Sequence, residues 1–211
     1  MKLYESLYIF SRYEQDIRYI MELLIDFGYN KKGQNDWNAK ETSHYQTLYN
    51  TILMHTCSYQ DEYNKNFLSN AEPEFQSRIK AVKKIAKPAF KKLNEWSDLR
   101  SYRNQMIAHN FRIDGNDFSF TKLGQYVAPR TYLDIVMLRK HLMMIHGIIS
   151  AEFNTELNHV NSFLDSFPVQ EQQIDYSNVE ADLMSVLTEI NKLCVDNEKP
   201  YELSVDLFLR L

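Results

Sequence analysis

Glycine and proline, the residues that punctuate sheets and tight turns, contribute only five residues each to this 211-residue chain. So few turn formers argue against many short strands and for long helices. Cysteine is rarer still. Cys57 and Cys194 stand far apart with no CxxC spacing, which points to neither a zinc knuckle nor a disulfide framework and makes a reducing cytoplasm the expected compartment. No apolar run approaches membrane-spanning length, and the opening MKLYESLYIFSRYEQDIRYI breaks its apolar pattern with charges throughout. A soluble, cytoplasmic protein with no membrane partner is expected. Positive charge is not in excess either. A net charge of −4 argues against a chain that coats a polyanion through its overall field, while leaving room for a local basic surface. Gly-rich phosphate loops and nucleophile elbows are missing as well.

What the chain has in abundance is aromatic side chains, fourteen Tyr and twelve Phe. Large rings should therefore carry much of the packing, with tyrosine hydroxyls at the rim of the core. Apolar residues recur at helical spacing over residues 5–27, through Leu7, Phe10, Ile17, Ile20, Leu24 and Phe27, until Gly28 stops the pattern. Residues 30–39 read as a loop, and Thr42 or Ser43 is placed to cap a second helix that runs through Ile52 and Tyr59 and ends near Phe67. Pro73 suits the first turn of a third helix, expected to reach Lys87 and meet Pro88 at a kink or a new start, with the next helix over 88–109.

Residues 111–120, FRIDGNDFSF, alternate around Asp114-Gly115-Asn116, a β-hairpin signal that an ordered loop would also satisfy. Pro129 opens an amphipathic segment to about Asn158, residues 168–175 form a linker, and Asn178 caps a further helix through Leu193. The expected fold class is all-α, an antiparallel bundle of five to six helices with a small hairpin after the fourth. Residues 1–160 form the bundle, and 161–211 form a helical extension packed on the same domain.

The chemistry concentrates in Leu99-Arg100-Ser101-Tyr102-Arg103-Asn104-Gln105-Met106-Ile107-Ala108-His109-Asn110. Arg103-Asn104 followed by Ala108-His109-Asn110 resembles the Arg-x(4–6)-His signature of HEPN domains, in which a polar residue often follows the Arg. The order of long helices around the motif is similar to that family's bundle. The resemblance implies metal-independent RNA cleavage by a homodimer, with the two motifs facing each other across a cleft and no cofactor or metal. Many such proteins are bacterial toxins or abortive-infection proteins, which implies an antitoxin partner.

The residue types suit that reaction. Transesterification by a 2′-hydroxyl needs proton transfer and cations around the phosphorane. His109 titrates in the right range, Arg103 offers a planar fork to phosphate oxygens, and Asn104 can donate to phosphate or orient the imidazole. Six helical steps place Arg103 and His109 roughly 120° apart, so a two-fold partner or a frayed helix end must bring them together. The bland reading makes Arg103 a structural ion pair and His109 a C-terminal cap.

The stretch 78–92, RIKAVKKIAKPAFKK, carries seven basic residues and no acidic one. With Arg100, its Lys84, Lys87, Lys91 and Lys92 are candidate substrate contacts. The alternative is a solvated lysine face over a core made by Ile79, Val82, Ile85 and Phe90. His141 and His146 lack the one-turn spacing of a helical zinc pair and read as core or interface residues. Met137, Met143 and Met144 read as packing at a bundle interior or a dimer seam. His44, His55 and His159 form no ligand pattern. The second functional reading is a non-catalytic helical module for dimerisation, interaction or nucleotide binding.

Overall fold

The computed structural model describes residues 2–31, 36–104 and 126–165, the backbone of 112–113 and 117–118, and Thr188. The chain divides into two compact units, 1–166 and 167–211. The expected linker at 168–175 and the helix capped by Asn178 lie outside the described residues.

Among the described residues, the first unit is an all-α bundle of six helices. Helix α1 (Lys2–Asp26) buries Leu3, Leu7, Phe10, Ile17, Ile20, Met21 and Leu24 on one stripe. It ends at Gly28, whose φ of +75° is the left-handed conformation that a C-terminal glycine supplies without steric cost. Its first turn is capped from a distance, the Lys2 amide donating to Glu72 Oε1 at 3.1 Å.

Helix α2 (Ala39–Asp61) begins at Asn38, not at Thr42 or Ser43. Asn38 Oδ1 accepts from the Glu41 amide and Glu41 Oε2 accepts from the Asn38 amide, both at 2.9 Å. This reciprocal capping box satisfies two donors that a start at Thr42 would not use. The helix runs on through a π-helical turn, Glu62–Asn66, closed by the Phe67 amide donating to the Glu62 carbonyl. The wider turn holds Tyr59, Tyr63 and Phe67 on the core side, where a uniform α-helix would drift around its axis. Phe10 sits among them, 4.7 Å from Tyr59 and 5.0 Å from Phe67 between ring centroids.

Helix α3 (Pro73–Leu93) passes through Pro88 without restarting. Pro88 and Lys84 are both exposed, so the hydrogen bond that proline cannot donate is given up on the solvent side, while Ala86, Phe90 and Leu93 keep the other face buried. The described part of the helix expected over 88–109 is therefore two elements, and residues 105–109 lie outside the described residues. Asn94, Ser97 and Asp98 break it with side chains that favour caps and turns over helix interiors, and α4 (Leu99–Tyr102) follows, passing into π-helical backbone at Arg103 and Asn104. Ile85, expected in the core, is exposed.

Two short strands fall in the expected hairpin segment, β1 (Arg112–Ile113) and β2 (Asp117–Phe118), paired antiparallel, Arg112 with Phe118 and Ile113 with Asp117, while the turn expected at 114–116 lies outside the described residues. Helix α5 (Tyr132–Glu152) starts three residues beyond Pro129, the expected start, at a second capping box between Thr131 and Asp134. A break at Phe153 separates it from α6 (Asn154–Asp165). Helix α1 packs on α2, α5 and α6, α3 packs on α5, and α4 packs on α2. Among the described residues no helix is long and apolar enough to cross a membrane.

Candidate functional site

The described residues on either side of 105–125 meet in one clamp. The Asp98 amide donates to the Val127 carbonyl at 3.1 Å, and the Val127 amide donates back to Asp98 Oδ2 at 2.8 Å. Inside that clamp Tyr102 meets Tyr126 edge-on, with centroids 5.8 Å apart. The Tyr49 hydroxyl donates to the Pro129 carbonyl and ties the segment before α5 to α2. The described residues that flank 105–125 are thus anchored on α2 and α4.

At the departure point the two arginines of the motif have different duties. Arg100 donates to Asp61 Oδ1, an acceptor that also holds Lys65 Nζ at 2.8 Å. Burial would raise the Asp61 pKa, but these hydrogen bonds and charges outweigh it and hold the carboxyl below its ordinary range. Arg103 is half-buried, and its Nε donates to the neighbouring Asn104 Oδ1 at 3.0 Å. No described carboxylate pairs with Arg103. Both guanidiniums lie near Cys57, whose thiol burial pushes up to about 11 against their opposing charge. That cysteine is a packed, protonated side chain. His109 lies outside the described residues, so of the three catalytic candidates the structure describes Arg103 and Asn104, which it brings together.

The basic stretch separates in the same way. Arg78 donates to Glu152 at 2.8 Å and to Glu156 at 2.5 Å, and lies 4.4 Å over the Phe153 ring. It staples α3 to the α5–α6 junction. Lys83 sits 4.9 Å over the Tyr63 ring, and burial lowers its pKa. Lys92 reaches Glu95 at 2.7 Å. Lys84, Lys87 and Lys91 are exposed, and with Lys80 they fall within about 60° on one face of α3. No described carboxylate pairs with these four. Lys80 was not among the candidates, although its four-residue spacing from Lys84 signals the shared face.

Met137, Met143 and Met144 are exposed and so do not fill the bundle interior. With Leu133 exposed as well, Leu133, Met137 and Met144 make an apolar stripe along α5. His44 is engaged by the Tyr29 hydroxyl at 3.1 Å, and His55 lies 4.0 Å from Asp16. His146 is half-buried 3.3 Å from Ser150 Oγ, its pKa lowered by burial against the opposing charge of Glu14. Among the described residues, no group of three or more His, Cys, Asp or Glu side chains is arranged to hold a metal ion.

No family model, curated protein or solved structure matches the chain.

Proposed function

We propose that the protein is a metal-independent endoribonuclease of HEPN type that acts as a cytoplasmic homodimer. The observation that carries this reading is the division of labour between the motif arginines. Asp61 engages Arg100, while Arg103, unpaired with any described carboxylate, stands with Asn104 where the chain departs toward His109. In the reaction, the RNA 2′-oxygen bonds to the adjacent phosphorus and the bond from phosphorus to the 5′-oxygen breaks. A 2′,3′-cyclic phosphate and a 5′-hydroxyl result. His109 moves the proton as general acid or base, Arg103 neutralises the phosphorane, and Asn104 orients or donates. Lys84, Lys87 and Lys91 would follow the RNA backbone as point charges, whereas Arg100 and Lys92 act mainly through their carboxylate partners. A role in toxin–antitoxin pairing or phage defence, with an antitoxin protein as partner, goes with this reading.

The test is cleavage of total cellular RNA in EDTA by the wild type beside Arg103→Ala and His109→Ala. Cleavage by the wild type that both variants lose supports the nuclease, and undiminished cleavage by His109→Ala refutes it. The apolar stripe of Leu133, Met137 and Met144 favours a second reading, a non-catalytic dimerisation or interaction module. That reading gains if the wild type dimerises and cuts no RNA.

A further inference from the structure

A pocket of about 240 Å³ opens beside the motif turn, lined by Trp37, Thr42, Tyr45, Gln46, Tyr49, Tyr102 and Arg130. It lies below the roughly 300–1,000 Å³ of sites for drug-sized ligands and suits a single ring system. Its walls are aromatic. Trp37 and Tyr45 meet at 4.5 Å between centroids, Tyr45 stacks on Tyr49 at 6.1 Å, and Tyr49 meets Tyr102 edge-on at 6.5 Å.

These walls also hold polar groups without partners. Trp37 Nε1 and the hydroxyl of the almost fully buried Tyr45 are shielded from water and make no hydrogen bond. A buried polar atom left unpaired is costly, and a native structure that keeps two in one wall calls for an explanation. A ligand with hydrogen-bonding edges supplies one after a small rotation of either ring. Thr42 and Gln46 add exposed polar side chains at the mouth, and Arg130, whose guanidinium donates to the Tyr126 carbonyl at 2.7 Å, adds positive charge. Asp134 accepts from the Arg130 amide at 2.9 Å, but its carboxylate is not part of the lining. The charged side chain there is Arg130, which disfavours the quaternary ammonium ligands that aromatic cages otherwise attract. It favours a planar ring carrying an anion.

We infer that this pocket takes one unpaired nucleobase, stacked against its aromatic walls with the attached phosphate toward Arg130. The inference deepens the ribonuclease reading, because Tyr102 precedes Arg103 and a base held here would lie beside the cleaved backbone. It names an unstacked base in single-stranded RNA as the recognised feature, the form in which RNA sequence is most often read.

The experiment uses the full chain carrying Trp96→Phe, so that Trp37 is the remaining indole, with the wild type followed in parallel by calorimetry. Each is titrated with AMP, GMP, CMP and UMP, and with ribose 5-phosphate as the control without a base. At least one nucleotide should quench Trp37 saturably and ribose 5-phosphate should not. Thr42→Phe, an exposed position whose new ring fills the mouth, should weaken binding about tenfold or more, the scale of one lost stacking contact, with the unfolding temperature unchanged. The inference is overturned if no nucleotide binds, if ribose 5-phosphate binds as well, or if Thr42→Phe binds undiminished. The two readings fail separately. Nucleotide binding without RNA cleavage keeps the pocket and removes the nuclease, and RNA cleavage without nucleotide binding does the reverse.

Discussion

Replacing Arg100 and Arg103 one at a time should separate stability from chemistry within a single turn of helix. Arg100→Ala removes a part-exposed ion pair with Asp61, whose side chain is 25% exposed. Pairs of this kind contribute about 0.5–1 kcal/mol. Asp61 keeps Lys65 at 2.8 Å, so its carboxylate is not stranded and the cost stays near 1 kcal/mol. For a chain of this size that is a fall of roughly 2–4 °C in Tm. Arg103→Ala removes a hydrogen bond to its own neighbour and should cost no more than about 0.5 kcal/mol. In cleavage the order reverses. Loss of a charge that stabilises the phosphorane lowers the rate about 10²–10³-fold, whereas Arg100→Ala should stay well within tenfold. Arg103→Lys should fall between, since an ammonium keeps the charge but not the planar fork. Thermal unfolding by circular dichroism and a single-turnover assay on one RNA read the two effects. If Arg103→Ala lowers Tm as much as Arg100→Ala does and leaves the rate unchanged, Arg103 is structural and the assignment fails.

Other residues give independent tests. Arg78→Met should destabilise the unit by about 1–2 kcal/mol in denaturant unfolding, since it strands Glu156, which is 11% exposed. Burial would raise the Glu156 pKa, yet Arg78 holds it below its ordinary value. The carboxylate's stabilising contribution is therefore present above about pH 4.3 and is lost as pH falls through the depressed folded value; in Arg78→Met that acid-dependent loss should shrink. Burial lowers the His146 pKa, so the unfolded chain takes up a proton that the folded chain resists. Stability should therefore fall as pH drops below about 6.5, and His146→Gln should flatten that fall in urea titrations. Charge reversal of Lys84, Lys87 and Lys91 should weaken single-stranded RNA binding and reduce the slope of log K against log salt by about 2, at roughly 0.7 per phosphate contact. Phe10→Ala, which empties a fully buried site against Tyr59 and Phe67, should cost about 3–5 kcal/mol in denaturant unfolding.

The helices were legible where local signals agree. The apolar stripe of α1 and its stop at Gly28 are both readable from neighbours a few residues apart, and Pro73 marks the start of α3. The starts of α2 and α5 were misplaced, at Thr42 or Ser43 and at Pro129, although Asn38 with Glu41 and Thr131 with Asp134 have capping-box spacing. The break between α3 and α4 was misplaced because Pro88 looks like a stop. Its cost is met by burial of Ala86, Phe90 and Leu93 on the opposite face, a tertiary effect that overrides propensity. The π-helical turn at Glu62–Asn66 has no comparable local marker.

The candidate site was less legible for a definite physical reason. A sequence shows which residues are basic but not which of their charges are already committed, because the committing carboxylates are remote. Asp61 is 39 residues from Arg100, and Glu152 and Glu156 are 74 and 78 residues from Arg78. Once those pairs and the Lys83–Tyr63 and Lys92–Glu95 contacts are set aside, the basic stretch shrinks to the row of Lys80, Lys84, Lys87 and Lys91. On the motif turn, Arg103 is the guanidinium that no described carboxylate engages. Within these two segments, those are the described cations able to meet a polyanion without first surrendering an internal carboxylate. Removing them should therefore change binding and catalysis more than folding, whereas removing Arg78 or Arg100 should do the opposite.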